Sequence, residues 1–372
     1  MAEVMRCLWK SVLITRNGIN RLHFLKGCRS LYTESALDLT DYKNSRKKME
    51  ESSGDLQVFR QAVRIALKRE SNSVTLADLR KILHIVEKNE EDLTLLKTMM
   101  EKWHAQGGHN EEDYSLGPII MRAFHYLNEP LIALDTLTNP QCKNLYDQPK
   151  SSAILVDLLY EHQMYKEVRD VYDFLRHKPV SKLVTSVVVL ACYKENSPDS
   201  LQFALKMWKD VQGNRAPLRR TIVTLAALAL NQNEPQMALQ FIDHCRNVAT
   251  ISARTAKVMA LCDLNRIDHV LLDFRYALKH NSHYLGDVVW KFHDAAKRMN
   301  IDSKTDIFRL FNSLRTRRSI QTQTLEEYIS TPIDVPKKEL PSDHQETSQL
   351  DRRKFDYGQN DWHDLSNRKC NQ

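Results

Sequence analysis

Apolar residues recur at helical spacing in the stretch 153–175, which reads AILVDLLYEHQMYKEVRDVYDFL. Leu155 and Leu159 fall on one face of a first predicted helix, and Val168 and Tyr172 fall on one face of a second, after a polar turn. Both stripes follow the spacing of an amphipathic helix. Two such helices cannot bury both stripes by themselves, so the pattern predicts that neighbouring parts of the chain cover them.

A small residue followed four positions later by a large one recurs along the chain. The small residues are Ala133, Val168, Ala204, Ala238 and Val270, which are 35, 36, 34 and 32 positions apart. A period near 35 is typical of helical-hairpin arrays, in which each hairpin covers the apolar face of the next. The pattern therefore predicts an all-α solenoid of about six hairpins. The predicted hairpins are 75–105, 115–140, 150–177, 181–213, 219–247 and 252–281.

The chain on either side of these repeats differs in composition. Two further helical stretches, near 286–299 and 305–318, are expected to cap the C-terminal end of the array. Beyond them the sequence is polar, with scattered prolines and no helical stripe, which is typical of a disordered tail. We therefore expect a repeat domain over 56–320, a flexible linker over 36–55 and a disordered tail over 330–372.

The first 35 residues are basic and rich in apolar side chains. They contain six basic and two acidic residues, and so carry +4 of the net charge of +7 of the whole chain. No acidic residue lies between Val4 and Thr33. This composition predicts a mitochondrial transit peptide over 1–35, with a basic disordered tail as the alternative. The rest of the chain is only mildly basic, so net charge alone does not argue for a nucleic-acid partner.

Motifs for catalysis and for cofactor binding are missing from the sequence. It contains no phosphate-binding loop, no dinucleotide-binding glycine pattern, no H-E-x-x-H and no nucleophile elbow. The seven cysteines are scattered, and His280 and His283 have no third ligand beside them. No apolar run reaches the roughly 18–20 residues that span a bilayer. We therefore expect no enzyme activity, no cofactor, no metal and no membrane span.

The repeats resemble the pentatricopeptide repeat family. The stretch 153–175 is similar throughout its length to the family pattern N-T-L-I-D-G-L-C-K-A-G-R-L-D-E-A-L-E-L-F-E-E-M, and Leu261 and Cys262 fall on the L-C of that pattern in a later repeat. The tetratricopeptide signature, by contrast, is absent from the predicted first helices. The resemblance implies a right-handed solenoid in the mitochondrial matrix. It also implies binding of single-stranded RNA during maturation of a respiratory-chain messenger such as that for cytochrome b, together with a separate processing nuclease.

The resemblance also assigns one base-reading position to the first helix of each repeat. The residues that align with it are Pro118, Ala153, Ser186, Val223 and Thr255. Only Ser186 and Thr255 carry a side chain that can form a hydrogen bond with a base, so the other three positions cannot read a base in this way.

Basic residues near the starts of the first helices are candidates for contacts with phosphate. They are Arg122, Lys182, Arg215, Arg219, Arg220, Arg254 and Lys257. A cation at a helix N-terminus interacts unfavourably with the helix dipole, so its presence there needs an explanation. The alternatives are contact with RNA and an ordinary solvated helix start. At the level of the whole protein, the alternative to RNA binding is a protein-interaction scaffold of mitochondrial gene expression, for example one that associates with the mitoribosome.

Overall fold

A computed structural model describes residues 30–52, 56–68, 74–106, 116–146, 148–176, 180–214 and 217–333. In these ranges the chain forms 17 α-helices, a short 3₁₀ helix and two isolated β-bridges, without any β-strand. The predicted all-α class is therefore confirmed. Within the same ranges, no helix combines the length and the apolar character needed to cross a membrane.

The helices are numbered here in chain order. They are α1 (Leu39–Ser52), α2 (Leu56–Lys68), α3 (Leu76–Ile85), α4 (Glu90–Ala105), α5 (Leu116–Leu127), α6 (Pro130–Thr138), α7 (Pro149–Glu161), α8 (Tyr165–Leu175), α9 (Lys182–Glu195), α10 (Pro198–Asn214), α11 (Arg219–Asn231), α12 (Pro235–Asp243), α13 (Ile251–Asp263), α14 (Ile267–Lys279), α15 (Asp287–Arg298), α16 (Asp306–Thr316) and α17 (Leu325–Ile329).

From α3 to α16 the helices alternate between two roles. The odd-numbered helices, called first helices here, each pack against the first helix before and after them. The even-numbered helices, called second helices, pack against the first helix that precedes them, and α8, α12 and others also contact the one that follows. The helix pairs lie where the periodicity predicts them; the handedness of the array and the number of hairpins stay predictions.

A left-handed residue marks the turn from each of five first helices to its second helix. These residues have φ between 49° and 59°, and four of the five are asparagine, which tolerates this conformation better than most residues. They are Asn128, Gln163, Asn196, Asn233 and Asn265. Side chains from the next repeat bind two of these turns: His162 Nε2 lies 2.6 Å from Asn128 Oδ1, and Gln232 Nε2 donates to Asn196 Oδ1 at 2.7 Å. The turns therefore help to hold successive repeats in register.

The first helices are buried on all sides in the middle of the array. Ten consecutive residues are buried in each of α7, α9 and α11, namely 151–160, 184–193 and 221–230. The second helices are amphipathic instead, and α8 buries only Val168, Val171, Tyr172 and Leu175. A helix that is apolar all round requires cover on every side.

Part of this cover comes from segments that the sequence predicts to lie outside the repeat domain. The linker expected over 36–55 contains α1, which packs on α3 and α5 and buries Leu39 and Tyr42. Leu31, within the predicted transit peptide, is buried, and Ile333, within the predicted tail, pairs with it. These segments are ordered because they bury apolar side chains against the first helices, which the local sequence pattern does not reveal.

Candidate functional site

The N-terminal segment, defined as residues 30–38, is bound to the middle of α7 by a buried carboxylate. Asp157 accepts hydrogen bonds from Ser30 Oγ at 2.7 Å, Leu31 N at 3.0 Å and Tyr32 N at 3.3 Å. Its side chain is 0% exposed. Hydrogen bonds from several donors can satisfy a buried carboxylate that would otherwise be costly to desolvate. Asp157 thus holds residues 30–32 against α7.

Arg122 continues this attachment on the neighbouring helix α5. Its Nε donates to the carbonyl of Leu37 at 2.9 Å, and its guanidinium forms an ion pair with Asp38, also at 2.9 Å. Lys150 of α7 binds the same Asp38 carboxylate. Burial lowers the pKa of Arg122, and the carboxylate of Asp38 opposes that shift. The structure therefore accounts for Arg122 through a contact inside the protein.

The C-terminal segment, defined as residues 319–333, covers the later first helices. It starts beside Tyr284, whose backbone N donates to the carbonyl of Ser319 at 2.9 Å. Its helix α17 contacts α11 and α13. Arg220 of α11 donates from Nε to the carbonyl of Ile329 at 2.9 Å and also binds the carbonyl of Thr331.

The two terminal segments meet across the first helices. Thr33 N donates to the carbonyl of Ile333 at 3.1 Å, and Ile333 N donates to the carbonyl of Leu31 at 2.6 Å. Burial raises the pKa of Tyr32, which lies at this junction, well above its usual value, and the nearby Asp157 carboxylate adds to the rise. The junction is therefore an apolar environment in which a charge on Tyr32 is disfavoured.

The five side chains that align with the base-reading position are all buried in the first helices. Pro118, Ala153 and Val223 are packed, and Ser186 lies 2.8 Å from the hydroxyl of Thr221 on the neighbouring helix. Thr255 is 0% exposed, and its hydroxyl accepts a hydrogen bond from Leu285 N at 2.9 Å. In this conformation, Ser186 and Thr255 serve contacts within the protein and are not presented to a ligand.

Two further candidate residues converge on one carboxylate. Arg254 is 3% exposed, lies 3.9 Å from the carboxylate of Asp273, and stacks over the ring of Tyr276. Lys257 pairs with the same carboxylate at 2.9 Å, but its side chain is 40% exposed. Lys257 thus keeps access to solvent, whereas Arg254 is enclosed.

Of the basic residues predicted to contact phosphate, Lys182 and Arg219 are exposed in the described part of the chain, and Lys257 is half-buried. Arg215 lies outside the described residues. Lys182 begins α9 and Arg219 begins α11, and neither helix has an acidic residue in its described first turn. The exposed Lys206 and Lys209 lie on α10, between these two helices in the chain. We call these four residues the basic edge.

The turns at the other ends of the first helices have the opposite charge. Each of the five left-handed turns has an acidic residue within two positions, and these residues are Glu129, Glu161, Glu195, Glu234 and Asp263. Glu129 and Glu234 stand at the N-caps of second helices, where the helix dipole favours an anion. The dipole therefore accounts for Glu129 and Glu234, but not for Glu161, Glu195 and Asp263, which end first helices, nor for the cations at the starts of α9 and α11.

A group with the chemistry of a metal site also lies under the N-terminal segment. The ligand atoms of His125, Asp157 and Glu161 lie within 4.8 Å of one another. The Asp157 oxygens, however, already accept hydrogen bonds from residues 30–32, so Asp157 serves to bind polypeptide.

Burial raises the pKa of the thiols of Cys192 and Cys262 to about 12, which keeps these thiols protonated at neutral pH.

The sequence pattern does not predict the attachment of the two terminal segments, although it contains one signal of it. Asp157 stands alone among apolar residues in AILVDLLY, on a helix that is otherwise buried. A lone acidic residue in such a run requires hydrogen-bond donors from elsewhere in the chain. The sequence does not show that those donors lie more than 120 positions away.

Comparison with known proteins finds relatives that all carry the same name. No protein-family model matches the chain. Curated proteins named "Pentatricopeptide repeat-containing protein 2, mitochondrial" are similar to it in several animals. The zebrafish protein (Danio rerio) is 26% identical over 239 residues, covering 63% of this chain and 61% of the relative. The Xenopus laevis protein is 26% identical over 66% of each chain, and the human protein is 24% identical over 55% of this chain and 53% of the relative.

The matched part of the chain spans between about half and two thirds of the length of these relatives. Its helix pairs recur at the period that the sequence predicts, and the relatives are named for a repeat of the same class. The resemblance stated from the sequence is therefore confirmed: this chain is an all-α helical-repeat protein similar to mitochondrial pentatricopeptide repeat-containing protein 2.

Proposed function

We propose that this protein acts in mitochondria as a helical-repeat protein that binds single-stranded RNA during transcript maturation. The similarity to relatives named as mitochondrial pentatricopeptide repeat proteins supports the location and the repeat class. At a finer level, we propose the matrix as the compartment, a respiratory-chain messenger such as that for cytochrome b as the RNA, and a separate nuclease as the enzyme that cuts it.

The observation that supports RNA contact is the position of two exposed cations at helix starts. Lys182 and Arg219 stand at helix starts where the dipole disfavours them, and no described acidic residue in those first turns offsets them. A phosphate backbone would supply the missing negative charge. Contacts with phosphate carry no base information, so we propose sequence-tolerant binding along this edge, to which Arg215 and Lys257 would add.

The test uses neighbouring basic residues with different surroundings. Changing both Lys182 and Arg219 to Ala should weaken binding to single-stranded RNAs of different sequence to a similar extent. It should also flatten the slope of log affinity against log salt by about 1.4, because two phosphate contacts are lost. Filter binding at several salt concentrations measures both effects.

Arg220→Ala is the matched control, because Arg220 is adjacent to Arg219 but binds the carbonyls of Ile329 and Thr331. This variant should lose stability by about 1–3 kcal/mol, as expected when a charged hydrogen-bonding group is removed. Its salt slope should match that of the unaltered protein. Unchanged RNA affinity in the Lys182 and Arg219 double variant at low salt would contradict the proposed contact surface.

A second candidate function is a protein-interaction scaffold, for example one that associates with the mitoribosome. The observation that favours it is that the first helices bind polypeptide backbone through side chains such as Asp157, Arg220 and Thr255. Crosslinking in mitochondria distinguishes the two functions. RNA recovered at the basic edge supports the first, and peptides of another protein recovered without RNA support the second.

A further inference from the structure

The carboxylate of Asp157 depends on a short stretch of chain that lies beside the predicted leader. In the described part of the protein, its hydrogen-bond donors all belong to residues 30–32. The imidazole of His125 lies 3.6 Å away, and the side chain of Glu161 is also near. Without residues 30–32, Asp157 would lose these three donors.

The same stretch contributes apolar area and backbone pairing. Leu31 is 1% exposed and Tyr32 is 3% exposed, and both belong to the main hydrophobic core. The hydrogen bonds from Thr33 N to Ile333 and from Ile333 N to Leu31 attach the C-terminal segment to them. The N-terminal segment therefore binds Asp157, contributes side chains to the core and pairs with the C-terminal segment.

A transit peptide that ended at residue 35 would take all of these contacts away. Removal of a donor from a buried polar group costs the desolvation of that group, and a charged group costs the most. Removal of Leu31 and Tyr32 would also leave cavities in the core. The composition that predicts the leader changes gradually between residues 26 and 36, so it does not itself fix the end of the leader.

We propose that the leader of this protein is cut at or before the peptide bond preceding Ser30, and that the N-terminal segment is a permanent part of the mature fold. This inference rests on the mitochondrial location proposed above. The reaction is hydrolysis by an endopeptidase: water adds across one peptide bond, whose C–N linkage breaks to give a new carboxylate and a new amino terminus. The segment from Ser30 to Asp38 then stays bound to α5 and α7.

The first measurement is the mass spectrum of the N-terminal peptide of the protein isolated from mitochondria. The expected result is a cleaved chain whose first residue is Ser30 or an earlier residue of the leader, and an uncut chain would overturn the proposal. A first residue at Leu31 or later would overturn the proposal, because the contact from Ser30 would then be absent from the mature protein.

The second measurement does not depend on import. Recombinant chains that begin at Ser30 and at Ala36 are compared by thermal unfolding. The chain that begins at Ser30 should melt like the full chain, and the chain that begins at Ala36 should melt about 5 °C or more below it. Equal melting temperatures for the two truncated chains would overturn the proposal.

A change at Asp157 tests the physical cause. Asp157→Asn removes the buried charge, so it should reduce the difference in melting temperature between the two truncated chains. Asp173→Asn, at an exposed position of α8, is the control and should leave that difference unchanged. If the chain that begins at Ala36 does not fold, Leu31→Ala in the chain that begins at Ser30 replaces it. This variant should melt several degrees lower, and a neutral result would count against the proposal.

These results separate the proposal from the location on which it rests. If the full chain is not imported into mitochondria, the proposed location fails, but the difference between the truncated chains remains. If import occurs and the mature chain begins after Ser30, only the proposed cleavage boundary fails.

Discussion

The first and second helices of the repeats bury different fractions of their surface. In α9, a first helix, Val184 to Tyr193 are all buried, whereas α14, a second helix, buries Val270, Phe274 and Ala277 and exposes Leu272. Both kinds of helix pack against neighbouring repeats. In the middle of the array, the first helices are additionally covered by the terminal segments or by the helices around them.

This difference in burial bears on which surface of a repeat protein can bind a ligand. A solenoid whose first helices were open would present polar side chains along that row. Here the row is closed by residues of the same chain, and its polar groups, among them Asp157 and Arg220, bind backbone groups of the terminal segments. Two candidate cations that stay exposed, Lys182 and Arg219, lie instead where the first helices α9 and α11 begin.

The largest effect is expected from a charge placed in a first helix. Val188→Asp puts a carboxylate at a fully buried position of α9 that has no partner for it. We expect a loss of more than about 4 kcal/mol in the free energy of unfolding, or failure to fold. Leu272→Asp, at an exposed position of the second helix α14, should change stability by less than about 0.5 kcal/mol. Urea unfolding followed by circular dichroism measures both, and similar losses would break the distinction between the two kinds of helix.

A smaller effect is expected from the small residue of the repeat pair. Ala204 of α10 is 0% exposed, so Ala204→Trp should force neighbouring helices apart and cost about 1–3 kcal/mol. Gln202→Trp, at an exposed position of the same helix, is the control and should be close to neutral. Equal thermal unfolding of the two variants would mean that the small residue does not lie between helices.

The smallest change in stability is expected at Tyr42, where α1 packs against α3. The hydroxyl of Tyr42 donates to the carbonyl of Leu83, and burial raises the pKa of Tyr42 to about 12. Because the unfolded chain ionises near pH 10, the contribution of Tyr42 to stability is complete below pH 10 and is lost as the pH rises towards 12.

Tyr42→Phe removes this hydrogen bond and should cost about 0.5–1.5 kcal/mol at pH 8. It also removes the ionising group, so the difference from the unaltered protein should shrink as the pH rises from 10 to 12. Urea unfolding at pH 8 and at pH 11 measures this change. A constant difference at both values would mean that Tyr42 does not titrate at this contact.

The candidate site was only partly predictable from the sequence. The sequence predicts Lys182 and Arg219 as phosphate contacts because they stand at helix starts, and the structure leaves both exposed. Arg220, selected by the same reasoning, binds the C-terminal segment instead. All three are cationic and lie at or next to a helix start. Their difference arises from a segment 109 residues further along the chain, which no local pattern reports.

The sequence by itself determined the helices of the repeats and their pairing, but not α1, which lies in the predicted linker. The 3.6-residue period places each apolar stripe, and the turn residues, such as Asn196 and Asn233, follow from their tolerance of left-handed backbone. These are local properties, because a helix and its turn are made by residues close together in the chain. Only the tertiary structure decided what covers the row of first helices. Asp157 and its donors are up to 127 positions apart, and whether a polar side chain is buried depends on the residues that pack over it, however distant they are in sequence.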